Sequence, residues 1–254
     1  MLRSRINLFH MELVSNKYDV LVEMGRVGGG FNAGIAIVRR RSDRLICVRK
    51  RLVLGQLSTP RHWNREAALM RKLRGHRNIC GIIEADIGPE KGELYLEYCK
   101  MGTLHDFIKY MKGTNLAVPE PFVWHVLTIY PTVKLGDFGL AINKEDINNL
   151  SSTSRAVCAP GWFPPEYPLC GERSDVYRTA AIAQLLCLPH WALGIGAQIS
   201  SPYSSELATC IRTGMSGNIH ERPFALEFAR FIDSRTPCLA QIPVPSGAFR
   251  VREL

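Results

Sequence analysis

Two short segments of the chain carry side chains suited to binding phosphate and a divalent cation. Lys50 ends the stretch Val48-Arg49-Lys50, and Asp137-Phe138-Gly139 follows a second apolar stretch. A lysine on a strand can neutralise phosphate oxygens, and an aspartate between a strand and a glycine turn can hold Mg²⁺ against them. A carboxylate has to keep such a lysine in place, and Glu66 on the following helical segment is the candidate. By themselves, Lys50 and Glu66 are more simply explained as two unrelated surface charges.

A glycine-rich turn precedes Lys50 and suits a close approach of backbone amides to phosphate. Gly28-Gly29-Gly30-Phe31-Asn32-Ala33 has the pattern G-x-G-x-x-A between two predicted strands. Glycine permits the backbone angles that this approach needs. Ala33 replaces the third glycine and Gly34 follows one position late, which predicts a shifted register for the loop. A flexible hairpin that binds nothing explains the same pattern.

An antiparallel sheet and a helix are predicted to position these residues. Alternating apolar and polar residues, interrupted by turns, predict strands at Tyr18–Glu23, Ile35–Val38, Leu45–Leu52, Ile79–Ile87 and Leu94–Tyr98. Apolar residues at helical spacing predict a helix over Trp63–Leu73, between the third and fourth strands. A short apolar strand, Val133–Leu135, is predicted to lead into Asp137.

Beyond Gly102 the apolar spacing becomes helical. The predicted helices are Leu104–Met111, Pro121–Ile129, Val176–Leu188, Glu206–Met215 and Phe224–Ile232. The sequence therefore predicts an α+β fold in which a lobe of five strands and a helix, residues 18–98, precedes a helical lobe, residues 99–235. Residues 236–254 contain three prolines and no periodicity, which is typical of a flexible tail.

Composition limits the class of protein. An apolar content of 46% and a charged content of 22% are those of an ordinary globular chain. No apolar stretch reaches the length of a membrane span, and the N-terminal residues lack the apolar run of a secretory signal. The eight cysteines have irregular spacing and no Cys-x-x-Cys pair, which favours reduced thiols in the cytoplasm or nucleus over a zinc site.

The positive charge is concentrated in the first part of the chain. Residues 1–113 hold 21 Lys and Arg against 11 Asp and Glu, whereas residues 114–254 hold 11 against 12. Such a surface attracts nucleic acid, membranes or acidic partners. No aromatic residues interleave with the arginines, which disfavours nucleic acid. A solvated basic face explains the excess more simply.

Taken in order, these segments resemble the motifs of a eukaryotic protein kinase over residues 18–233. Gly161-Trp162-Phe163-Pro164-Pro165-Glu166 resembles the end of the activation segment, Ser174-Asp175-Val176-Tyr177 the helix that supports the helical lobe, and Glu221-Arg222-Pro223 the arginine that pairs with Glu166. Arg39-Arg40-Arg41-Ser42-Asp43 and Glu97-Tyr98-Cys99 are most similar to the NIMA-related Ser/Thr kinases of the fungal type. The resemblance implies a two-lobed protein-kinase-like fold, with an antiparallel β-sheet N-lobe that contains helix C and a shortened α-helical C-lobe.

The same resemblance implies a site for ATP and Mg²⁺, in which Lys50, held by Glu66, contacts phosphates and Asp137 holds the metal. The ATP-binding residues that it implies are Val27, Gly28, Gly30, Ile35, Val48, Lys50, Leu96, Glu97 and Cys99. It assigns structural roles to Glu166, Asp175 and Arg222. Ser151, Ser152, Thr153 and Ser154 lie where an activating phosphate would be attached, and an unmodified polar loop explains them equally well.

The chain departs from the kinase pattern at the catalytic loop. Protein kinases carry His-Arg-Asp-x-x-x-x-Asn ahead of Asp-Phe-Gly, and its aspartate accepts the proton of the substrate hydroxyl. No aspartate occurs between Asp106 and Asp137. A second shortening lies between Cys187 and Tyr203, and Ala180 stands where the family has glycine. Because these losses remove buried side chains, we expect a loosely packed, aggregation-prone helical lobe.

Three functions are compatible with the sequence. In the first, the gene encodes a Ser/Thr protein kinase that transfers the γ-phosphate of ATP to protein Ser/Thr, and this chain is an incomplete product of it. In the second, the chain is a pseudokinase that binds ATP or protein partners without transferring phosphate. In the third, the basic N-terminal lobe is a scaffold or a nucleic-acid binder. The expected partners are ATP and protein substrates or binding proteins, with no membrane.

Overall fold

The computed structural model describes residues 17–25, 33–55, 59–128, 133–141, 162–168, 170–188, 198–199 and 201–234. The predicted ligands Val27, Gly28 and Gly30, the predicted phosphorylation sites Ser151, Ser152, Thr153 and Ser154, and the predicted tail lie outside these residues. The chain divides into two compact units. The first contains the described parts of Met1–Lys100 together with Lys134–Ala141, and the second the described parts of Met101–Val133 and Ile142–Val251.

A five-stranded antiparallel sheet forms most of the first unit. Its strands are β1 (Tyr18–Gly25), β2 (Gly34–Arg40), β3 (Ile46–Val53), β4 (Ile82–Ile87) and β5 (Lys91–Glu97), in the spatial order β1-β2-β3-β5-β4. Side chains alternate along β3, so Cys47 packs on one face of the sheet and Leu52 on the other. Lys50 has the same parity as Leu52 and therefore shares its face.

Helix α1 (Pro60–Lys72) covers the Leu52 face of the sheet. It begins after Thr59, whose hydroxyl accepts a hydrogen bond from the His62 amide at 3.4 Å, and it has a proline in its first turn. Its buried residues are Trp63, Glu66, Ala67 and Met70, which recur at the spacing of one helix face. Glu66 is the charged member of this set, so α1 directs a carboxylate towards the sheet.

The second unit is helical in its described parts. Its helices are α2 (Leu104–Gly113), α3 (Glu120–Leu127), α4 (Glu172–Cys187), α5 (Ser205–Gly214) and α6 (Ala225–Asp233). A capping box begins α2, because the Thr103 hydroxyl accepts from the Asp106 amide at 3.1 Å while the Asp106 carboxylate accepts from the Thr103 amide at 3.4 Å. Helix α4 packs against α3, α5 and α6, and ten of its 16 residues are buried. It therefore forms the centre of this unit.

The described elements make the chain an α+β protein with an antiparallel five-stranded sheet, which is compatible with the N-lobe of a kinase. The prediction of a strand at Val133–Leu135 was wrong, since the only ladder contact there is an isolated parallel bridge between Leu135 and Ile79. Strand β4 begins at Ile82 and not at Ile79, because Ile79 forms that bridge and donates its amide to the His76 carbonyl. Among the described residues, no helix has the length and apolar character to cross a bilayer.

Candidate functional site

Three charged side chains meet in the first unit, and all three were predicted site residues. The Lys50 ammonium lies 2.9 Å from Glu66 Oε1 and 2.7 Å from Asp137 Oδ1. The Lys50 and Glu66 side chains are buried, whereas the Asp137 side chain is 67% exposed. The structure thus places one cation between an enclosed carboxylate and an open one. We call Lys50, Glu66 and Asp137 the ion triad.

Backbone contacts hold Asp137 beside Lys50. Leu135 donates its amide to the Asn78 carbonyl and accepts from the Cys80 amide, each at 2.8 Å, which anchors the segment just before Asp137. Asp137 itself has φ 61° and ψ 68°, a left-handed conformation that aspartate tolerates better than most residues. The short 3₁₀ helix Phe138–Leu140 follows, and Phe138 packs against the core beneath α1.

Gly139 lies close to the carboxylate of Glu66. A Cβ atom on Gly139 would lie 3.1 Å from Glu66 Oε2 and 3.6 Å from Asp137 Oδ1. A side chain there would press on the carboxylate that holds Lys50. The glycine of Asp-Phe-Gly therefore serves the ion triad through its lack of a side chain.

Burial and charge act in opposite directions on Lys50. Burial favours the neutral amine, but the charges of Glu66 and Asp137 outweigh it and raise the pKa of Lys50 above its ordinary value. Burial raises the pKa of Glu66 in turn, and the charge of Lys50 opposes that change. Lys50 is therefore a fixed cation at neutral pH. A buried ammonium of this kind is a good partner for phosphate oxygens.

The predicted heterocycle-binding residues lie along the neighbouring strands. Ile35 and Val48 are half-buried on β2 and β3, and Leu96, half-buried on β5, packs with the core under α1. The Glu97 amide donates to the Gly81 carbonyl at 2.8 Å. A flat heterocycle would therefore meet the Glu97 carbonyl and not its amide. Cys99 is exposed just beyond the end of β5.

Sequence reasoning missed the contact that Lys134 makes with Glu97. The Lys134 ammonium lies 2.8 Å from Glu97 Oε1, and the Gly81 amide donates to Glu97 Oε2 at 3.1 Å. These hydrogen bonds keep the pKa of Glu97 below its ordinary value against the effect of burial. The Glu97 side chain thus ties the segment before Asp137 to the end of β5. No sequence pattern signals a pair so far apart along the chain.

The predicted structural residues belong to the second unit and separate into two environments. Arg222 is enclosed; it donates to both carboxylate oxygens of Glu166, at 3.0 Å to Oε1, and to the Arg173 carbonyl at 3.0 Å. Ser174 also donates to Glu166 Oε1. Asp175, in contrast, has a side chain that is 76% exposed and lies 3.2 Å from Arg178.

The ion triad fits a magnesium nucleotide. Among the residues that the structure describes, no group of three or more His, Cys, Asp or Glu side chains could hold a metal unaided. Mg²⁺ at phosphates needs only one or two carboxylates, because water and phosphate oxygens supply the remaining ligands. Asp137 would offer that carboxylate, and Lys50 would offer the cation for the phosphates.

Comparison with known proteins shows that the sequence is similar to several protein kinases. No protein-family model matches the chain. It is 35% identical over 118 residues to the G2-specific protein kinase nimA of Emericella nidulans, 30% identical over 118 residues to the G2-specific protein kinase nim-1 of Neurospora crassa, and 25% identical over 206 residues to the probable serine/threonine-protein kinase zyg-1 of Caenorhabditis briggsae. These matches cover 45%, 45% and 69% of this chain, but only 16%, 13% and 27% of the three relatives. The chain is a NIMA-related Ser/Thr kinase-like protein.

Proposed function

We propose that the first unit binds ATP with Mg²⁺ through the ion triad. The observation that carries the proposal is the position of the Lys50 ammonium, 2.9 Å from a buried carboxylate and 2.7 Å from an exposed one. Lys50 would contact the phosphates while Glu66 holds it in place, and Asp137 would bind the metal. The kinase relatives, which match part of the chain, support this assignment.

The base of the nucleotide would lie between the sheet residues described above. Ile35 and Val48 would cover one face of the adenine, and Leu96 would line the back of its pocket. The Glu97 carbonyl and the backbone of Cys99 would meet its polar edge. Val27, Gly28 and Gly30 would complete the enclosure from the glycine-rich turn.

We further propose that this chain does not transfer the γ-phosphate to protein Ser/Thr. Transfer in this family uses an aspartate that accepts the hydroxyl proton, and the sequence between Asp106 and Asp137 contains none. The exposure of Asp175 supports the same conclusion, because the resemblance assigns it a structural role in the helical lobe, whereas here its side chain is exposed and pairs with Arg178. The chain would act as a nucleotide-binding pseudokinase.

A calorimetric titration of Mg-ATP tests the binding proposal. Lys50→Met removes the phosphate contact and should weaken ATP binding at least about 100-fold, since loss of one partner of a desolvated charge pair costs several kcal/mol. Arg51→Met is the matched control, because Arg51 is the next residue of β3 and its side chain is 47% exposed. The ATP affinity of the Arg51→Met variant should match that of the wild type. Equal affinities for wild type and Lys50→Met would refute the assignment.

Asp137→Asn gives a second test in which the substituted side chain is itself largely exposed. The side chain is largely exposed, so the variant should fold normally while its ATP affinity loses its dependence on Mg²⁺. A transfer assay with γ-labelled ATP and a generic Ser/Thr substrate should show no labelled protein. Autophosphorylation of the purified chain that disappears in Asp137→Asn would contradict the pseudokinase proposal and favour an active kinase.

A further inference from the structure

The outer face of α1 is a row of cations that the nucleotide site does not use. Trp63, Glu66, Ala67 and Met70 point inwards, and on the opposite side of the helix lie the exposed residues Arg61, Arg65 and Lys72. Three more exposed cations, Arg71, Arg74 and Arg77, lie at or just beyond its C-terminal end. Glu66 is the one acidic residue between positions 60 and 77, and it faces Lys50. We call Arg61, Arg65 and Lys72 the basic face of α1.

These cations differ from the other basic cluster of the first unit. Arg40 pairs with Asp43 at 2.6 Å, and Arg41 pairs with Asp19 at 2.8 Å, so the turn between β2 and β3 is neutralised locally. No carboxylate of a described residue lies within 4.0 Å of the basic face of α1. Its charge is therefore available to a partner.

The arrangement is unfavourable for the helix itself. Arg61 and Arg65 are four residues apart on one face, and like charges at that spacing repel. Cations near a helix N-terminus also oppose the helix dipole, and the first turn of α1 contains no acidic residue. A bound anion would relieve both effects, so the helix gains more from an acidic partner than a neutral surface helix would.

We propose that the basic face of α1 docks an acidic, Asp- and Glu-rich segment of a partner protein. Arg61 and Lys72 are separated by about 16 Å along the helix axis at the usual rise of 1.5 Å per residue. That length matches about three turns of an acidic helix laid beside α1. The arginine forks suit carboxylates, which they bind through two parallel hydrogen bonds.

The residues between the cations argue for a protein partner over other polyanions. Asn64 and Ala68 are the exposed positions within the row, and neither offers an aromatic ring on which a base could stack. Neither offers a long apolar side chain that could enter a lipid surface. An acidic peptide segment needs only opposite charge to bind this face, and it requires neither an aromatic ring for stacking nor an apolar side chain for insertion into lipid.

Fluorescence anisotropy with a labelled 16-residue Glu-rich peptide tests the proposal on the full chain. The peptide should bind at 50 mM salt, weaken as salt rises to 300 mM, and lose at least tenfold in affinity with R61Q/R65Q/K72Q. A matched variant, K109Q/R212Q/R230Q, removes the same charge from exposed helix positions of the second unit and should bind like the wild type. The same peptide with Gln for Glu should not bind.

The remaining outcomes decide against the proposal. Peptide binding that is equal in the two triple variants would show a response to net charge alone. Tighter binding of a single-stranded RNA oligomer or of phosphatidylserine vesicles than of the peptide, with loss in R61Q/R65Q/K72Q, would assign the face to a different polyanion. Lys50→Met should bind the peptide normally, so failure of the nucleotide assignment would not affect this result.

Discussion

The buried charge of Arg222 depends on one carboxylate, that of Glu166, for its stability. Its side chain is fully enclosed and its charge is balanced by Glu166, so removal of that carboxylate leaves a buried cation unpaired. We expect Glu166→Gln to lower the free energy of unfolding by about 3 kcal/mol, as measured by urea denaturation. Asp175→Asn, at an exposed ion pair, should cost less than about 1 kcal/mol. Equal effects of the two substitutions would contradict the geometry.

The same pair predicts a dependence of stability on pH. Burial alone would raise the pKa of Glu166, but hydrogen bonds from Arg222 and Ser174 hold that pKa below its ordinary value of 4.5. A carboxyl whose pKa is lower in the folded state stabilises the protein above 4.5 and loses that contribution as the pH falls through the folded pKa. The stability difference between wild type and Glu166→Gln should therefore be constant near neutral pH and shrink below pH 4.5. A difference that persists unchanged in strong acid would exclude this cause.

The ion triad is the part of the candidate site whose individual residues could be predicted from the sequence. Lys50, Glu66 and Asp137 were selected because a strand lysine, a helix carboxylate and Asp-Phe-Gly occur in a familiar order, and the structure brings all three together. Their roles in nucleotide binding stay predictions. The contact between Lys134 and Glu97 had no such order to reveal it, since long-range ion pairs leave no periodic signal in a sequence.

At the scale of elements, the crossing of α4 and α5 depends on one glycine. A Cβ atom on Gly214 would lie 2.6 Å from the Ala180 Cβ and 3.1 Å from the Phe228 ring. We expect Gly214→Ala to lower the free energy of unfolding by about 1–3 kcal/mol through overpacking. This loss would oppose the gain of about 1 kcal/mol that helix propensity alone gives to alanine.

Two further variants separate overpacking from propensity. Gly113 ends α2 as Gly214 ends α5, but no atom lies within 4 Å of its added Cβ, so Gly113→Ala should be neutral or stabilising in the same denaturation experiment. Ala180→Gly should rescue part of the loss in Gly214→Ala. A double variant whose loss equals the sum of the single losses would show that the two helices do not meet as described.

Elements were predictable wherever the apolar period was long enough. All five strands and the helices α1 to α6 lie within a few residues of their predicted positions, because a buried face repeats every two or 3.6 residues along each of them. The strand predicted at Val133–Leu135 was wrong because two apolar residues on either side of a lysine do not distinguish a strand from a loop that touches a core. Leu135 is in fact 53% exposed and forms a single bridge.

At the scale of the whole molecule, the second unit combines a short buried helix with a groove that is open to solvent. Helix α3 has only eight residues, of which Phe122 to Leu127 are all buried, so it depends on tertiary packing for its stability. A groove of about 260 Å³ that is open to solvent lies in the same unit, lined by the end of α2, the segment that follows it, the end of α4, and Gln198, Ile199 and Ser201 to Tyr203. Side chains that line an open groove pack against other atoms on one side only, so they make fewer dispersion contacts than side chains enclosed in a core.

Hydrogen exchange should therefore distinguish the two units. We expect amides of α2, α3 and the end of α4 to exchange at least about tenfold faster than those of β2 and β3, because local opening costs less where packing is incomplete. Peptide-level mass spectrometry in the presence and absence of Mg-ATP measures this directly, and ATP should slow exchange mainly in β3 and α1 if the ion triad binds it. Equal protection of both units, together with a single cooperative thermal transition at an ordinary temperature, would contradict the expectation of a loosely packed helical lobe.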